Sequence, residues 1–246
     1  MWPRLSAVRP GRGVRVAQGG CDMTAVELAR TLDMPRDEWL ELRRKGIGGS
    51  DAAAVAGLNP WKSPIAVWLE KTGQIEPEEP GEAAYWGKVL EDIVAREFPI
   101  RTGLKVRRRN AILQHPEYPW MIANVDRLIV GENVGLECKT TNAFMAKEWE
   151  NDEMPAQYIL QMQHYMAVTG YKAWWIAVLI GGNRFVYKKI DRHEELIQQL
   201  VEIEKDFWEN HVLTGAPPEI DGSEASKELL QKLYPKATKP AIELPP

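Results

Sequence analysis

The chain has 246 residues, of which 44% are hydrophobic, and this is enough for one well-buried α/β domain. No apolar run approaches the roughly 20 residues that span a bilayer, and two cysteines, Cys21 and Cys138, are too few for a disulfide framework or a four-cysteine cluster. A reducing cytoplasm is therefore the expected compartment. The net charge of −4 does not by itself suggest a nucleic-acid partner, but basic residues cluster at 43–45 and within 101–109.

The two ends of the chain differ in composition from its middle. Residues 1–22 contain four arginines and no acidic residue before Asp22, yet they lack both a transit-peptide pattern and the apolar core of a secretory signal. We expect the working chain to begin at Met23, with residues 1–22 a disordered leader or a mis-assigned start. The predicted domain then covers 23–215, and the proline-rich residues 216–246 form a C-terminal tail.

The predicted elements, in chain order, alternate between helices and extended segments. A helix over 35–45 ends at a glycine-rich run, after which Ser50 is placed to cap a short helix over 51–56. Ser63 and Pro64 begin a third helix that stops before Gly73. Later helices are predicted at 82–98, 155–169 and 193–212, an extended segment at 104–113, and strands at 121–130, 134–141, 173–180 and 184–190. This order indicates an α/β fold with a central mixed sheet flanked by helices.

Charged residues interrupt two neighbouring apolar strands. Residues two apart on a strand share a face, so Glu137 and Lys139 point the same way. If a two-residue loop at 132–133 joins the strands, Asp126 lies opposite Lys139 and diagonal to Glu137. Two such carboxylates can share a hard divalent cation such as Mg²⁺, and the lysine can position or deprotonate a water or stabilise a phosphate. The alternative is a solvent-facing charged ladder, because a lone Glu-x-Lys is common by chance.

Two of the predicted helices carry further candidates. Glu91 lies near an apolar stripe and could complete a metal site, although on its own a surface pair with Lys88 is the more ordinary role. Gln161 and His164 are three residues apart, and they could contact a phosphate, hold a water, or satisfy backbone groups in the core. The other histidines show no metal-ligand spacing and are predicted to be structural.

These pieces and their order resemble the YqaJ-type viral recombinase family, whose members are relatives of phage lambda exonuclease. The resemblance runs from about Trp39 to His211. The segments that carry it are, in order, Gly46-Ile47-Gly48-Gly49-Ser50-Asp51-Ala52-Ala53-Ala54, Gly57-Leu58-Asn59-Pro60-Trp61, Trp86-Gly87 through Glu91, Asp126, Glu137-Cys138-Lys139 and Gln161-Met162-Gln163. Their joint occurrence is far more specific than any one of them. One departure is Val125, where the wider superfamily often has proline before the aspartate.

The resemblance implies a restriction-endonuclease-like (PD-(D/E)XK) core and 5′→3′ digestion of linear duplex DNA, leaving 3′ single strands for a phage-type annealing protein. By position, the resemblance also implies that Glu91, Asp126 and Glu137 are ligands for Mg²⁺ (or Mn²⁺ in its place). Lys139 would be the catalytic lysine and Gln161 a supporting amide. Arg43 and Ser50 would contact the DNA 5′ phosphate. The implied partners are duplex DNA ends and further copies of the chain, which would form a ring-shaped trimer. The resemblance also implies a protein of phage or prophage origin that acts in the bacterial cytoplasm.

Other interpretations stay open at this point. The backbone NH groups of Gly48-Gly49-Ser50, beside the basic residues 43–45 and Lys62, could form an anion site, or the run could be a simple turn between helices. The chain could also be an endonuclease of the same fold, which would cut circular DNA. A third possibility is a non-catalytic DNA-end-binding or annealing module, which would bind DNA without metal-dependent cleavage.

Overall fold

The computed structural model describes residues 25–76, 81–151 and 153–233, so the predicted leader lies outside the described residues. The strands are β1 Val26–Arg30, β2 Ile47–Gly48, β3 Val106–Arg108, β4 Ala111–Gln114, β5 Met121–Asn124, β6 Arg127–Ile129, β7 Val134–Thr141, β8 Ala173–Ile180 and β9 Arg184–Asp191. The α-helices are α1 Arg36–Arg44, α2 Gly49–Val55, α3 Pro64–Lys71, α4 Glu82–Thr102, α5 Ala156–Thr169, α6 Glu194–Asp206 and α7 Glu224–Leu233. A 3-10 helix covers Ala143–Trp149, and a π-helical turn, Phe207–Val212, continues α6.

A five-stranded mixed sheet in the order β3-β6-β7-β8-β9 forms the centre of the fold. β7 and β8 are parallel and are joined through α5, while the other neighbours are antiparallel. Along β8 the side chains alternate between two cores: Ile176 and Val178 pack on the α5 side, and Ala177 packs with Phe98 of α4. The two helices therefore cover opposite faces, as a buried, nearly continuous apolar strand requires. The predicted mixed sheet between helices is confirmed.

A second sheet accounts for two differences from the predicted strands. It has four strands in the order β1-β4-β5-β2. The predicted strand over 121–130 is divided between β5 in this sheet and β6 in the five-stranded sheet, and 104–113 is divided likewise between β4 and β3. One unbroken strand was wrong in both places, because each segment passes from one sheet to the other. The break between β5 and β6 falls at Val125 and Asp126, so it places Asp126 where two sheets meet.

The register between β6 and β7 also differs from the predicted one. Arg127 pairs with Leu136 and Leu128 with Gly135, which extends to place Asp126 opposite Glu137 rather than Lys139. The predicted register was wrong by two residues, because the turn covers residues 130–133 and is centred one residue earlier than the predicted loop at 132–133. A shift of two preserves the face on which each side chain lies, so the expected common face of the charged residues survives the error.

Smaller differences occur at the helix ends and in the C-terminal region. α2 begins at Gly49, with Gly48 as its cap residue, and its first turn is closed by the Asp51 carboxylate, which accepts the Gly48 NH at 3.3 Å. Ser50 as the cap of this helix was therefore wrong, because it lies one residue inside. α7, with Ala225 and Ser226 buried, forms within the segment expected to be a tail. None of the described helices is both long and apolar enough to cross a membrane.

Candidate active site

Glu137 is the centre of a buried polar cluster on the α5 face of the main sheet. It is 3% exposed, between Leu136 and Cys138, which face α4. Its Oε1 atom lies 2.6 Å from Lys139 Nζ and accepts a hydrogen bond of 2.8 Å from Gln161 Nε2. Its Oε2 atom is buried and has no hydrogen-bond partner among the residues that the structure describes. A buried carboxylate oxygen without a partner is costly, so it marks a position that a bound group would satisfy.

Asp126 joins this cluster from the break between β5 and β6. Its Oδ2 atom accepts the backbone NH of Cys138 at 2.9 Å, which fixes the carboxyl group against β7. Burial, together with the negative charges of Glu137 and Glu91, raises the pKa of Asp126 well above its ordinary value. The nearby cation of Lys139 only partly offsets these effects on Asp126.

Glu91 reaches the cluster from α4 but is held by an arginine that the sequence analysis did not single out. Arg127 is 5% exposed, and its Nη1 atom lies 2.7 Å from Glu91 Oε1 and donates at 2.7 Å to the backbone oxygen of Asp126. Its Nη2 atom pairs with Asp92. The predicted pair of Glu91 with Lys88 is not among the ion pairs of the described residues, and Glu91 instead lies within electrostatic range of Asp126.

The donor set of this cluster fits a divalent cation. Within the described ranges, no three His, Cys, Asp or Glu side chains converge as a ready-made set of metal ligands. The reason is local: Glu91 is turned to Arg127, and one oxygen of Glu137 is taken by Lys139 and Gln161. A hard cation would bind the oxygen of Glu137 that has no partner, and it would offset the burial and the negative charges that raise the pKa of Asp126.

Lys139 is positioned to carry a positive charge. Burial lowers the pKa of Lys139, but the carboxylates of Glu137 and Asp126 outweigh burial and raise it above its ordinary value. The ammonium group also lies 5.4 Å from the ring centroid of Tyr158, an arrangement that favours a cation over an aromatic face. The lysine is therefore protonated at neutral pH.

The residues expected to meet a 5′ phosphate do come together, around a carboxylate. Arg43 Nη2 donates to Ser50 Oγ at 3.0 Å and lies 3.4 Å from Asp51 Oδ2. Asp51 is 1% exposed and also binds Lys62 at 3.1 Å and Lys71 at 2.8 Å. Burial raises the pKa of Asp51, but the three cations outweigh burial and hold it well below its ordinary value. Arg43 is thus part of an internal ion-pair network as well as a neighbour of Ser50.

The glycine run connects this cationic group with the carboxylate cluster. A Cβ atom added to Gly49 would lie 2.4 Å from Tyr165 Cε1, so only glycine lets α2 approach α5 so closely. The Tyr165 hydroxyl accepts a hydrogen bond of 2.8 Å from Gln161 Nε2, the same nitrogen that binds Glu137. The Gly48 NH is already bound by Asp51, so the run is a packing contact more than an open anion site.

Comparison with known proteins places the chain in a family. The model of the YqaJ-like viral recombinase domain matches residues 38–172, more than half of the chain. The chain belongs to the YqaJ-like viral recombinase family. The YqaJ protein of Bacillus subtilis (strain 168) is 57% identical to it over 210 residues, which cover 84% of this chain and 66% of that protein. The chain therefore spans slightly less than two thirds of this YqaJ relative. Protein D345L of African swine fever virus is 39% identical over 57 residues, 23% of this chain and 16% of D345L.

Solved structures share the fold of this YqaJ-like chain. An alkaline exonuclease of Laribacter hongkongensis, LHK-Exo, matches with a TM-score of 0.62 at 20% identity, covering 80% of this chain and all of that one (100%). LHK-Exo in complex with dAMP gives a TM-score of 0.63 over 80% of this chain and 97% of the other, also at 20% identity. A phage-related exonuclease of Haemophilus somnus 129PT gives 0.53 at 13% identity, over 80% of this chain and 100% of that one. These likenesses confirm the restriction-endonuclease-like fold.

The structure leaves the histidines outside the candidate site. His164 is fully buried, with Nδ1 2.8 Å from Glu204 and Nε2 2.9 Å from the Ile122 backbone oxygen, so its role is in the core. His193 caps α6 by accepting the Leu196 NH at 3.1 Å.

The sequence analysis did not single out two charged residues that the structure places at the site, Asp51 and Arg127. Arg127 carried one usable signal, an arginine directly after Asp126 within an otherwise apolar run.

Proposed function

We propose that the chain is a metal-dependent deoxyribonuclease that digests linear duplex DNA 5′→3′ and leaves 3′ single strands for phage-type recombination. The observation that carries the proposal is the buried cluster of Glu137, Lys139 and Gln161 beside Asp126. Buried charges that their own hydrogen bonds do not balance are typical of functional sites. Membership of a recombinase family and a fold shared with exonucleases support the same activity.

Asp126, Glu137 and Glu91 are the residues that would hold the cation. Gln161 and Lys139 occupy one oxygen of Glu137, and the Cys138 NH fixes one oxygen of Asp126, so each carboxylate keeps its other oxygen for a ligand. Glu91 would have to exchange its contact with Arg127 for the cation. A divalent cation bound there would supply charge neutralisation and a more acidic water for phosphodiester hydrolysis; Mg²⁺ is the proposed ion, with Mn²⁺ as a substitute.

Lys139 acts in this proposal as a fixed positive charge. Its Nζ atom lies 2.6 Å from Glu137 Oε1, which holds the charged group beside the proposed cleavage centre. Its ammonium group stabilises the negative charge that develops on the phosphate in the transition state. Gln161 orients Glu137 and is itself held by Tyr165, so it is a positioning residue.

Arg43 and Ser50 are the proposed contacts for the terminal 5′ phosphate. A terminal phosphomonoester carries more negative charge than an internal diester, and a guanidinium group binds phosphate oxygens in a bidentate manner. Asp51 holds Arg43 beside Ser50, which is exposed. The packing of Gly49 on Tyr165 gives this group a fixed position relative to Glu137. An anchored 5′ end beside the cleavage centre would set the direction of digestion.

Partners and assembly belong to the same proposal. The substrate is a duplex DNA end, the product strand would pass to a phage-type annealing protein, and a ring-shaped homotrimer enclosing the DNA would give processivity. The proposed setting is a bacterial cytoplasm. Size-exclusion chromatography with light scattering checks the trimer independently of any cleavage assay.

Digestion of end-labelled linear duplex, beside the same DNA as a covalently closed circle, tests the proposed activity. With Mg²⁺ we expect loss of the 5′ label from the linear form and an intact circle, and with EDTA no loss from either. Cleavage of the circle would show an endonuclease of this fold instead. Binding of the linear ends with no Mg²⁺-dependent cleavage would show an end-binding or annealing module.

A further inference from the structure

An arginine-lined cleft lies between α4 and β3, at the edge of the main sheet. It has a volume of about 400 Å³. Of the side chains that the structure describes, four arginines and one carboxylate line it: Arg96, Arg107, Arg108, Arg127 and Asp92. We call it the arginine cleft. β3 is an edge strand, so one side of the cleft faces solvent.

The charges of the arginine cleft are only partly compensated within the protein. Asp92 pairs with both Arg108 and Arg127, and Glu91 also pairs with Arg127. Arg107 is exposed and makes no ion pair with any described residue, and exposed Arg96 donates only to the Asp92 backbone oxygen. A cleft with an excess of guanidinium groups concentrates anions and matches the geometry of phosphate oxygens.

The arginine cleft is directly connected to the candidate active site. Arg127 forms one wall of the cleft and also contacts Glu91 and the backbone oxygen of Asp126. On β3, Arg108 pairs in register with Arg127, so the two arginines lie side by side across the strands. An anionic chain lying in the cleft would therefore lead to the carboxylates proposed to cleave DNA.

The size of the cleft indicates one strand rather than a duplex. Its volume of about 400 Å³ falls in the lower part of the roughly 300–1,000 Å³ range of small-molecule sites. Arginines line it on both sides, Arg96 on the helix and Arg107 on the strand. Groups on opposite walls can surround one sugar–phosphate backbone, whereas a duplex needs a wider groove.

We propose that the arginine cleft binds the phosphate backbone of a single DNA strand next to the cleavage centre. The proposal rests on the proposed nuclease function, but binding can be measured without cleavage. Arg96 and Arg107 are the informative residues, because they are exposed and removing their charges leaves the ion pairs of Arg108 and Arg127 in place.

The test compares the double variant Arg96→Gln/Arg107→Gln with the matched control Arg184→Gln/Lys189→Gln. Both control residues are exposed cations on β9, at the opposite edge of the same sheet. Binding of a labelled oligothymidylate of about 20 nucleotides, of a duplex of the same length and of poly-glutamate is measured by fluorescence anisotropy in EDTA, between about 50 and 200 mM KCl. Thermal unfolding of both variants verifies that each is folded.

Each lost phosphate contact lowers the salt slope of single-strand binding by about 0.7. For two contacts we expect a reduction of about 1.4, so that the cleft variant loses ~7-fold less affinity than the wild type over this salt range. The control should keep the wild-type slope. An unchanged slope in the cleft variant overturns the proposal, as does a change seen with the duplex alone. Weakened binding of poly-glutamate but not of DNA overturns it in favour of an acidic protein segment.

The cleft and the cleavage activity can fail separately. A wild-type protein that digests DNA, together with an unchanged slope in the cleft variant, contradicts the arginine cleft alone. A reduced slope in a protein that cuts no DNA with Mg²⁺ contradicts the nuclease proposal alone.

Discussion

Replacing Asp51 by asparagine should destabilise the protein strongly, although the two side chains have nearly the same shape. The asparagine oxygen can still accept the Gly48 NH that Asp51 accepts at 3.3 Å. What is lost is a negative charge that is 1% exposed and in contact with three cations. Lys62 keeps a second partner, Glu70, at 2.6 Å, but Lys71 is left buried without a carboxylate.

The expected cost follows mainly from Lys71, because Arg43, which also loses its carboxylate partner, is 24% exposed whereas Lys71 is 4% exposed. Removing one partner of a buried ion pair costs about 3–5 kcal/mol, and for a domain of this size ~1 kcal/mol shifts Tm by about 2–4 °C. Asp51→Asn should therefore lower Tm by ~6–20 °C. In the double variant Asp51→Asn/Lys71→Met the uncompensated ammonium is gone, so much of the loss should be recovered, with a coupling energy of ~0.5–3 kcal/mol.

Thermal and urea unfolding of the wild type, both single variants and the double variant measure this coupling. Asp191→Asn is the matched control, because its carboxyl side chain is 83% exposed and its 3.8 Å pair with Lys189 is worth under about 1 kcal/mol. The folded pKa of Asp51 is depressed, so its contribution is present above the unfolded pKa and disappears as pH falls through the folded pKa. The stability gap should thus be constant near neutral pH and shrink in acid. Additive losses in the double variant would refute the account of Asp51.

Three further changes test other parts of the structure. The wild type should digest 5′-phosphorylated duplex ends roughly ten- to a hundredfold faster than 5′-hydroxyl ends, the value of one charge-assisted hydrogen bond. Arg43→Ala should abolish most of this preference. Equal slowing on both substrates would place the phosphate site elsewhere. Gly49→Ala should cost about 1–3 kcal/mol by overpacking against Tyr165, whereas Gly87→Ala, inside α4 and clear of close contacts, should be neutral or stabilising in the same unfolding assay. Asp126→Asn should raise the Tm of the metal-free protein, because the amide replaces a buried carboxylate whose ionised form is opposed by burial and by the charges of Glu137 and Glu91. Because a raised pKa makes stability fall as pH rises, that gain should grow with pH, and added Mg²⁺ should stabilise the wild type but not the variant.

The common face of the catalytic candidates was predictable because side chains alternate regularly between the two faces of a strand. Side chains on a strand repeat every two residues, so the two-residue error in register left Glu137, Lys139 and Asp126 on one face. The alternation of β8 between two cores likewise follows from a fully apolar run joined to a crossover helix. The local sequence pattern was sufficient to predict features that depend on the repeat of side chains along a strand, but it was not sufficient to predict exact residue pairs.

Positions set by contacts distant in sequence were not predictable. The passage from β5 to β6 lies between two apolar stretches, 121–123 and 128–130, and nothing in that segment shows that it serves two sheets. The ion pairs of Asp51 and Arg127 could not be identified from local sequence, because their partners lie up to 36 residues away, as Glu91 does from Arg127. Buried ion pairs of this kind become visible only when the tertiary structure brings both partners together.

The initial rate of Mg²⁺-dependent digestion of a 5′-phosphorylated linear duplex, compared between the wild type and Glu137→Gln, tests the central claim most directly. The matched control is Glu132→Gln, an exposed residue in the turn between β6 and β7 of the same strand pair. We expect Glu137→Gln to lose at least about 100-fold in rate while thermal unfolding shows that it is still folded, and Glu132→Gln to retain the wild-type rate. A Glu137→Gln protein that is folded and digests the duplex at a rate close to that of the wild type would contradict the assignment of this cluster as the cleavage centre.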